Sequence, residues 1–462
     1  MKDESSFVQH SDVHWTFFAF ILSPSPLLVM DSLTYIQLLR RNLSFRRLWI
    51  GQVISELGNW FNFIAALGVV RLVSHASTEA ATILLIVRLV PFTLFAPLAG
   101  AFVDRWSRRT VMIATDLLRL VVALGFLFVR SPQDLWIAYL CTGLLSLFGA
   151  FFEAAKNAAI PNITGERDLL AGNALMFSSR FLLMSLGAAL GGWASARFGY
   201  QTAFIINAIS FLASAYSVWL VPEEETRQTV SQRPESGNRA SRLRRHSGYG
   251  RDIHEGWSYI VTHGPVAAIL GANIVWAVGG GAINLIAERL GALVFAGPKL
   301  SQDSAVAALY FANGLGLFIG MMIARRVGAY FELRGTTVRF IGWSLFVQGI
   351  FFALMGVVPG LYLAGLMLTI SRILLGAEFA VQETLLMRLV PDNLRGRVST
   401  TDRAAEMLIW TFSTGVAGWS LHLITPQTLA IVSGLLSGVA GIGWLIVFAT
   451  KTVRLPKRFN QR

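Results

Sequence analysis

Between two long apolar runs, residues 100–109 read GAFVDRWSRR. One carboxylate, Asp104, stands there in a short turn beside Arg105, Arg108 and Arg109. A carboxylate so placed pairs with a guanidinium or faces a helix N-terminus. The arginines can also hold lipid phosphate. Gly100 has no side chain and allows two helices to approach closely. Contacts of this type latch one end of a moving structure, and a latch that must also open is worth only a few kcal/mol.

A second set of residues is costly where it stands. Glu56, Arg88, Asp116, Arg119, Glu153 and Arg180, and later Glu288, Arg372, Glu378, Glu383 and Glu406, fall inside apolar runs. Ionisable groups in hydrocarbon are functional or paired. Glu56 lies beside Asn59 and Asn62, and steps of three place the group near one helix face. A carboxylate in an apolar setting holds protons nearer neutrality, so Glu56 is the first candidate for proton coupling. The alternative is a carboxylate permanently paired to arginine. Asp116 and Arg119, three apart, predict an intrahelical ion pair, with Asp116 as a second proton site in the other reading. Glu153 and Glu383 precede polar links and are expected to make gate contacts with Arg167, Arg388 or Arg397. Arg88 and Arg180 would bind an anionic cargo or neutralise a carboxylate. Asn273, Asn284 and Glu288 are expected to line a cavity.

The elements that must carry these groups are membrane helices. Only 14% of the 462 residues are charged and mean hydropathy is +0.57, whereas soluble domains carry about 25% charge. Apolar runs near the bilayer-spanning length fall at 49–73, 80–103, 110–129, 133–155, 173–198 and 201–221. They resume at 264–289, 305–324, 336–356, 359–381, 402–423 and 427–450. Unpaired backbone cannot face lipid, which favours helices and excludes open sheets. Arginine and lysine gather in alternate links, and the positive-inside rule then places both termini in the cytoplasm. That pattern also accounts for the net charge of +13 without a nucleic-acid partner. Residues 1–45 read as a cytoplasmic N-terminal segment, and 1–29 as a mispredicted extension before a start at Met30. The spans 46–221 and 264–450 form two halves. Residues 222–263, with the run Arg242, Arg244, Arg245, read as a polar cytoplasmic linker, and 451–462 as a tail. The single cysteine, Cys141, rules out an intrachain disulfide. No nucleotide loop, metal cluster or nucleophile elbow is evident, so no metal, cofactor or enzymatic activity is expected.

The halves echo each other. Glu153 lies eight residues before Pro161, and Glu383 eight before Pro391. Gly192-Trp193 and Gly418-Trp419 sit late in the span after each link. Parallel halves related about the membrane normal are a known transporter architecture, with a site between them near the midplane.

The run from Gly100 to Arg109 resembles the G-x-x-x-D-R-x-x-R-R signature of the major facilitator superfamily, at the link after the second span. The resemblance covers about 45–450. It is closest in kind to enterobactin-exporter-like and macrolide-efflux-like permeases, through FRRLWIGQVISELGNW at 45–60, ATDLLRL at 114–120 and VPDNLRGRV at 390–398. A lysophospholipid transporter is similar to the same branch. The resemblance implies an all-α polytopic membrane protein with twelve transmembrane helices in two six-helix, pseudo-repeated halves. It also implies a gate role for Asp104 and Arg105. In the second half FIGMMIARRVG keeps Gly320 and Arg325 but has Ala324 where the aspartate would stand. The function implied is proton-coupled export of small amphipathic molecules by a monomer in a bacterial plasma membrane. A lysolipid flippase, a metabolite importer, and a receptor or enzyme on the same fold are the alternatives.

Overall fold

The computed structural model describes residues 35–103, 105–226, 249–298, 300–391 and 394–450. Asp104, residues 1–34, the linker run Arg242, Arg244, Arg245 and the tail 451–462 lie outside the described residues. Regular structure among the described residues is helical, apart from an isolated bridge between Gly297 and Leu300.

The first half contains α1 (Leu43–Val73), α2 (Thr78–Val103), α3 (Arg108–Phe128), α4 (Pro132–Gly165), α5 (Arg167–Phe198) and α6 (Tyr200–Trp219). A linking helix, α7, spans Tyr249–Thr262. The second half contains α8 (Gly264–Phe295), α9 (Gln302–Leu333), α10 (Thr337–Leu354), α11 (Leu361–Leu389), α12 (Arg395–Ser420) and α13 (Pro426–Ala449). Eleven helices among the described residues are long and apolar enough to cross a membrane. The exception among the expected twelve is α12. It has 26 residues, but Arg395, Arg397, Asp402, Arg403 and Glu406 stand in its first half and lower its hydropathy.

Three departures from the sequence pattern have physical causes. Pro161 does not end α4; the helix runs through it, and the turn into α5 falls at Gly165, with φ of 69°. Glycine reaches that left-handed region at no steric cost. The last part of the expected linker is helix α7, because Trp257, Ile260 and Val261 give it an apolar stripe. Ile260 is buried, and at Gly256 a Cβ would stand 2.9 Å from the Arg397 carbonyl, so α7 lies tightly on α12. Third, α8 is broken after Gly280 and ends in a π-helical turn over Leu290–Phe295. Glycines at the break let α8 touch backbone on both sides: a Cβ at Gly279 would meet Ser433 at 2.3 Å, and one at Gly281 would meet Trp410 at 2.9 Å.

Each half is a tight bundle. In the first, α1 packs on α5 and α6; in the second, α9 packs on α11 and α10 on α13. At Gly434 a Cβ would lie 2.3 Å from the backbone nitrogen of Ala353, whereas at Gly443 it would meet nothing within 4 Å. Gly434→Val should therefore cost about 1–3 kcal/mol through overpacking and lower the unfolding temperature of the purified protein. Gly443→Val should leave that temperature unchanged.

Candidate functional site

The helices place four buried charges where the halves meet. Arg71 ends α1, Glu288 and Arg289 stand on α8, and Asp303 lies in the first turn of α9. Their exposures are 4%, 0%, 0% and 9%. Arg71 Nη1 lies 2.9 Å from Glu288 Oε1, and its Nη2 is bonded to Asp303 Oδ1. Arg289 Nε is bonded to the other oxygen of Glu288. Tyr200, at the start of α6, donates its hydroxyl to Asp303 Oδ2 at 2.7 Å. Two guanidinium groups thus meet two carboxylates with formal charge balanced. Arg71 and Tyr200 come from the first half, and the other three residues from the second.

Local structure holds the parts in place. Ser301 caps α9 by accepting from the Ser304 backbone, and Asp303 sits where the helix dipole favours an anion. The α1–α2 turn contains two left-handed residues that are not glycine, His75 at φ 52° and Ala76 at φ 63°. Such a conformation costs on the order of 1–3 kcal/mol and persists only when its surroundings fix it. The fixing contact is Arg289 Nη1, which donates to the Ala76 carbonyl at 2.8 Å.

An aromatic contact also joins the halves. Phe63 and Tyr310 meet edge to face at 5.4 Å, and the Tyr310 hydroxyl donates to the Asn284 carbonyl at 2.9 Å. Two helix seams flank it. A Cβ at Gly192 on α5 would be 2.2 Å from Ala307 on α9, and one at Gly418 on α12 would be 2.4 Å from Thr82 on α2. The repeated Gly-Trp pairs are therefore the seam positions of the two halves. Ser185 adds a hydrogen bond to the Phe311 carbonyl at 3.1 Å.

These contacts cluster toward the end of the molecule carrying the α1–α2 and α8–α9 turns. At the opposite, arginine-rich end the motif residues bind their own half. Arg108 donates to the Ala158 carbonyl at 2.7 Å, and Arg109 to that of Trp219. Arg105 is exposed. Among the described residues, no atom lies within 4 Å of where a Cβ on Gly100 would stand. The corresponding Gly320 is tight against the Ile373 carbonyl, at 2.3 Å.

The expected gate partners find nearer ones. Glu153 pairs with Lys156 at 2.6 Å, one turn away, rather than with Arg167, Arg388 or Arg397. Glu383 lies 3.6 Å from Arg403, Arg388 pairs with Glu332 at 2.5 Å, and Arg397 bonds to Glu255. Asp116 and Arg119 are bonded to each other inside the first half, with the guanidinium 4.4 Å from the Phe152 ring centre. Glu56 lies within electrostatic reach of Arg88 and Arg180, and Arg88 stacks 3.6 Å over Phe63. Asn59 is half-buried; Asn62 is buried, with Oδ1 lacking a hydrogen-bond partner. Asn273 donates to Asp402 at 3.1 Å. Glu288, expected to line a cavity, is enclosed in the ionic network. Arg71, Asp303 and Tyr200 were not singled out by sequence. Only the position of Arg71 at the end of an otherwise apolar span could have pointed to it.

Two pseudo-repeated helical bundles, joined by a buried ionic contact, define a two-lobed membrane protein. The chain belongs to the Major Facilitator Superfamily, whose sequence model matches residues 48–401. It is 27% identical over 187 residues to the uncharacterized MFS-type transporter YfiS of Bacillus subtilis (strain 168), covering 40% of this chain and 44% of that protein. It is 26% identical over 168 residues to the putative bacilysin exporter BacE of the same organism, covering 36% of this chain and 41% of that one. The matched stretch thus spans less than half the length of either relative. A bacterial homolog of the human lysosomal transporter Spinster, solved in an inward-facing and unoccupied conformation, shares the fold: TM-score 0.67, 14% identity, covering 90% of this chain and 99% of that one.

Removing one partner from a buried ion pair leaves an uncompensated charge and costs about 3–5 kcal/mol. Glu288→Gln combined with Asp303→Asn should therefore favour separation of the halves at this end. In a Cys141→Ala, Ser185→Cys background, labelling by a membrane-impermeant maleimide from that side should rise about tenfold or more. Unchanged labelling would mean the network does not hold the end shut.

Proposed function

We propose that the chain is a secondary active transporter that exports small amphipathic molecules by alternating access, coupled to inward proton movement. The observation that carries this reading is the location of the ionic network, which joins the halves at the end of the molecule opposite the arginine-rich links. Two compact bundles held at one end by a breakable latch can exchange that contact for one at the opposite end, exposing a midplane site to each side in turn. The latch must be finite in strength for both states to be populated.

Orientation follows from the positive-inside rule. The arginine-rich links face the cytoplasm of a bacterial plasma membrane, both termini lie there, and α12, the eleventh span in chain order, brings the spans to twelve. The arrangement described is then closed to the outside and ready to take cargo from within. Asp104 and Arg105 belong to the reciprocal latch that forms when the cytoplasmic end closes. Export rather than import is favoured by the relative named as a putative exporter. The unit is a monomer, since each half supplies a complement to the other.

The test is accumulation of drugs, dyes, siderophores and lysolipids in an efflux-deficient bacterium, with and without a proton uncoupler. The chain would be expressed beside Asp104→Asn and Arg71→Gln forms at matched levels in the membrane. Lower accumulation of at least one compound, lost in both variants and on uncoupling, is the expected result. Equal accumulation in all strains would overturn the export reading. Accumulation that rises with the chain would reverse its direction.

A further inference from the structure

The second half contains carboxylates that the latch does not use. Glu378 stands eleven residues before the end of α11 at Leu389, and Glu406 eleven residues after the start of α12 at Arg395. At 1.5 Å per residue both are about 16 Å from the arginine-rich end, and each lies in the other's electrostatic field. Asp402, one turn before Glu406 on the same face, is buried and accepts from Asn273 on α8 through both oxygens, at 3.1 and 3.3 Å. The other charges in reach are Glu383 and Arg403. Asp402, Glu406 and Glu383 thus have one guanidinium, Arg403, in reach.

Side chains that end without a partner add a separate observation. Glu378 is 2% exposed, and its Oε1 has no hydrogen-bond partner. Gln382, one turn further along α11, is 4% exposed, and its Nε2 likewise has none. A carboxylate buried in this way is strongly unfavourable unless something positive joins it. Trp410 follows Glu406 by one turn on α12, and Trp276 follows Asn273 by three residues on α8. The two indoles meet edge to face at 5.6 Å, and neither Nε1 has a partner. Carboxylates flanked by aromatic faces suit an ammonium or other onium group.

We propose that Glu378, Asp402 and Glu406, walled by Trp276 and Trp410, bind the cationic group of an amphipathic amine or onium cargo. This deepens the transport reading and rests on it for the word cargo. A proton carries the same charge, so proton and cation exclude each other at the site.

The experiment measures equilibrium binding of radiolabelled tetraphenylphosphonium to the full-length purified chain in lipid nanodiscs at pH 8, with proton release followed in weak buffer. Saturable binding is expected, with proton release that grows as the starting pH is lowered. Affinity should fall by about tenfold or more in Glu378→Gln and in Glu406→Gln, recover in Glu406→Asp, and stay unchanged in Glu332→Gln. Neutral triphenylphosphine oxide should not compete. Recovery in Glu406→Asp separates loss of charge from loss of fold. Equal affinity in the parent and both glutamine variants would overturn the proposal. So would proton uptake that depends on Glu378 and Glu406 without any phosphonium binding, which would leave the proton as the site's only ligand. Phosphonium bound at this site but not moved across vesicles would count against transport and leave the site standing.

Discussion

One guanidinium organises this molecule. Arg71 reaches out of the first half and holds two carboxylates of the second, Glu288 and Asp303, away from water. Neither half alone could bury its share, because an isolated ion in a low-dielectric setting costs far more than folding can supply. Burial becomes tolerable only when the halves meet, so the contact is conditional on their relative position. The other features of that end follow from it. The Ala76 turn is held by Arg289, Tyr200 completes Asp303, and glycines at 192 and 418 let the backbones come near enough for the charges to touch.

The opposite end is organised on a different principle. There Arg108 donates to the Ala158 carbonyl of its own half, Arg388 pairs with Glu332, and Arg397 bonds to Glu255 on the linking helix α7. These bonds survive any rigid movement of one half against the other. The result is two bodies with a buried ionic contact between them at one end of the interface. Glu378 and Glu406, on α11 and α12, stand outside both arrangements.

Much of this was legible because membrane helices obey local rules. Span positions, the doubled architecture and the GAFVDRWSRR turn are each written within short stretches of chain, and hydropathy or spacing is enough to find them. The latch was not legible. Residues 71, 200, 288 and 303 are far apart in sequence, and each lies near a span end, where a charge reads as topology. Arg289 was not singled out, and Glu288 was expected to line a cavity. In this arrangement Glu153 and Glu383 pair instead with Lys156 one turn away and with Arg403 on the neighbouring helix, contacts too local to stand out in the sequence. Helix α7 was hidden because its flanking charges outweighed a stripe of three apolar residues. The proline at 161 misled because the helix runs through it and turns only at Gly165.

The repeated Gly-Trp pairs carry a consequence of their own. Gly192 and Gly418 face inward onto the seams, while the next residue in each case, Trp193 or Trp419, points outward and is exposed. Indoles of this kind settle at the boundary between lipid tails and headgroups. Each seam is thus tied, one residue away, to a fixed depth in the bilayer. If the seams part, both indoles must move with their helices relative to that boundary. The thickness and lateral pressure of the surrounding lipid therefore enter the balance between open and closed as a mechanical load, one that the membrane sets and the protein only feels.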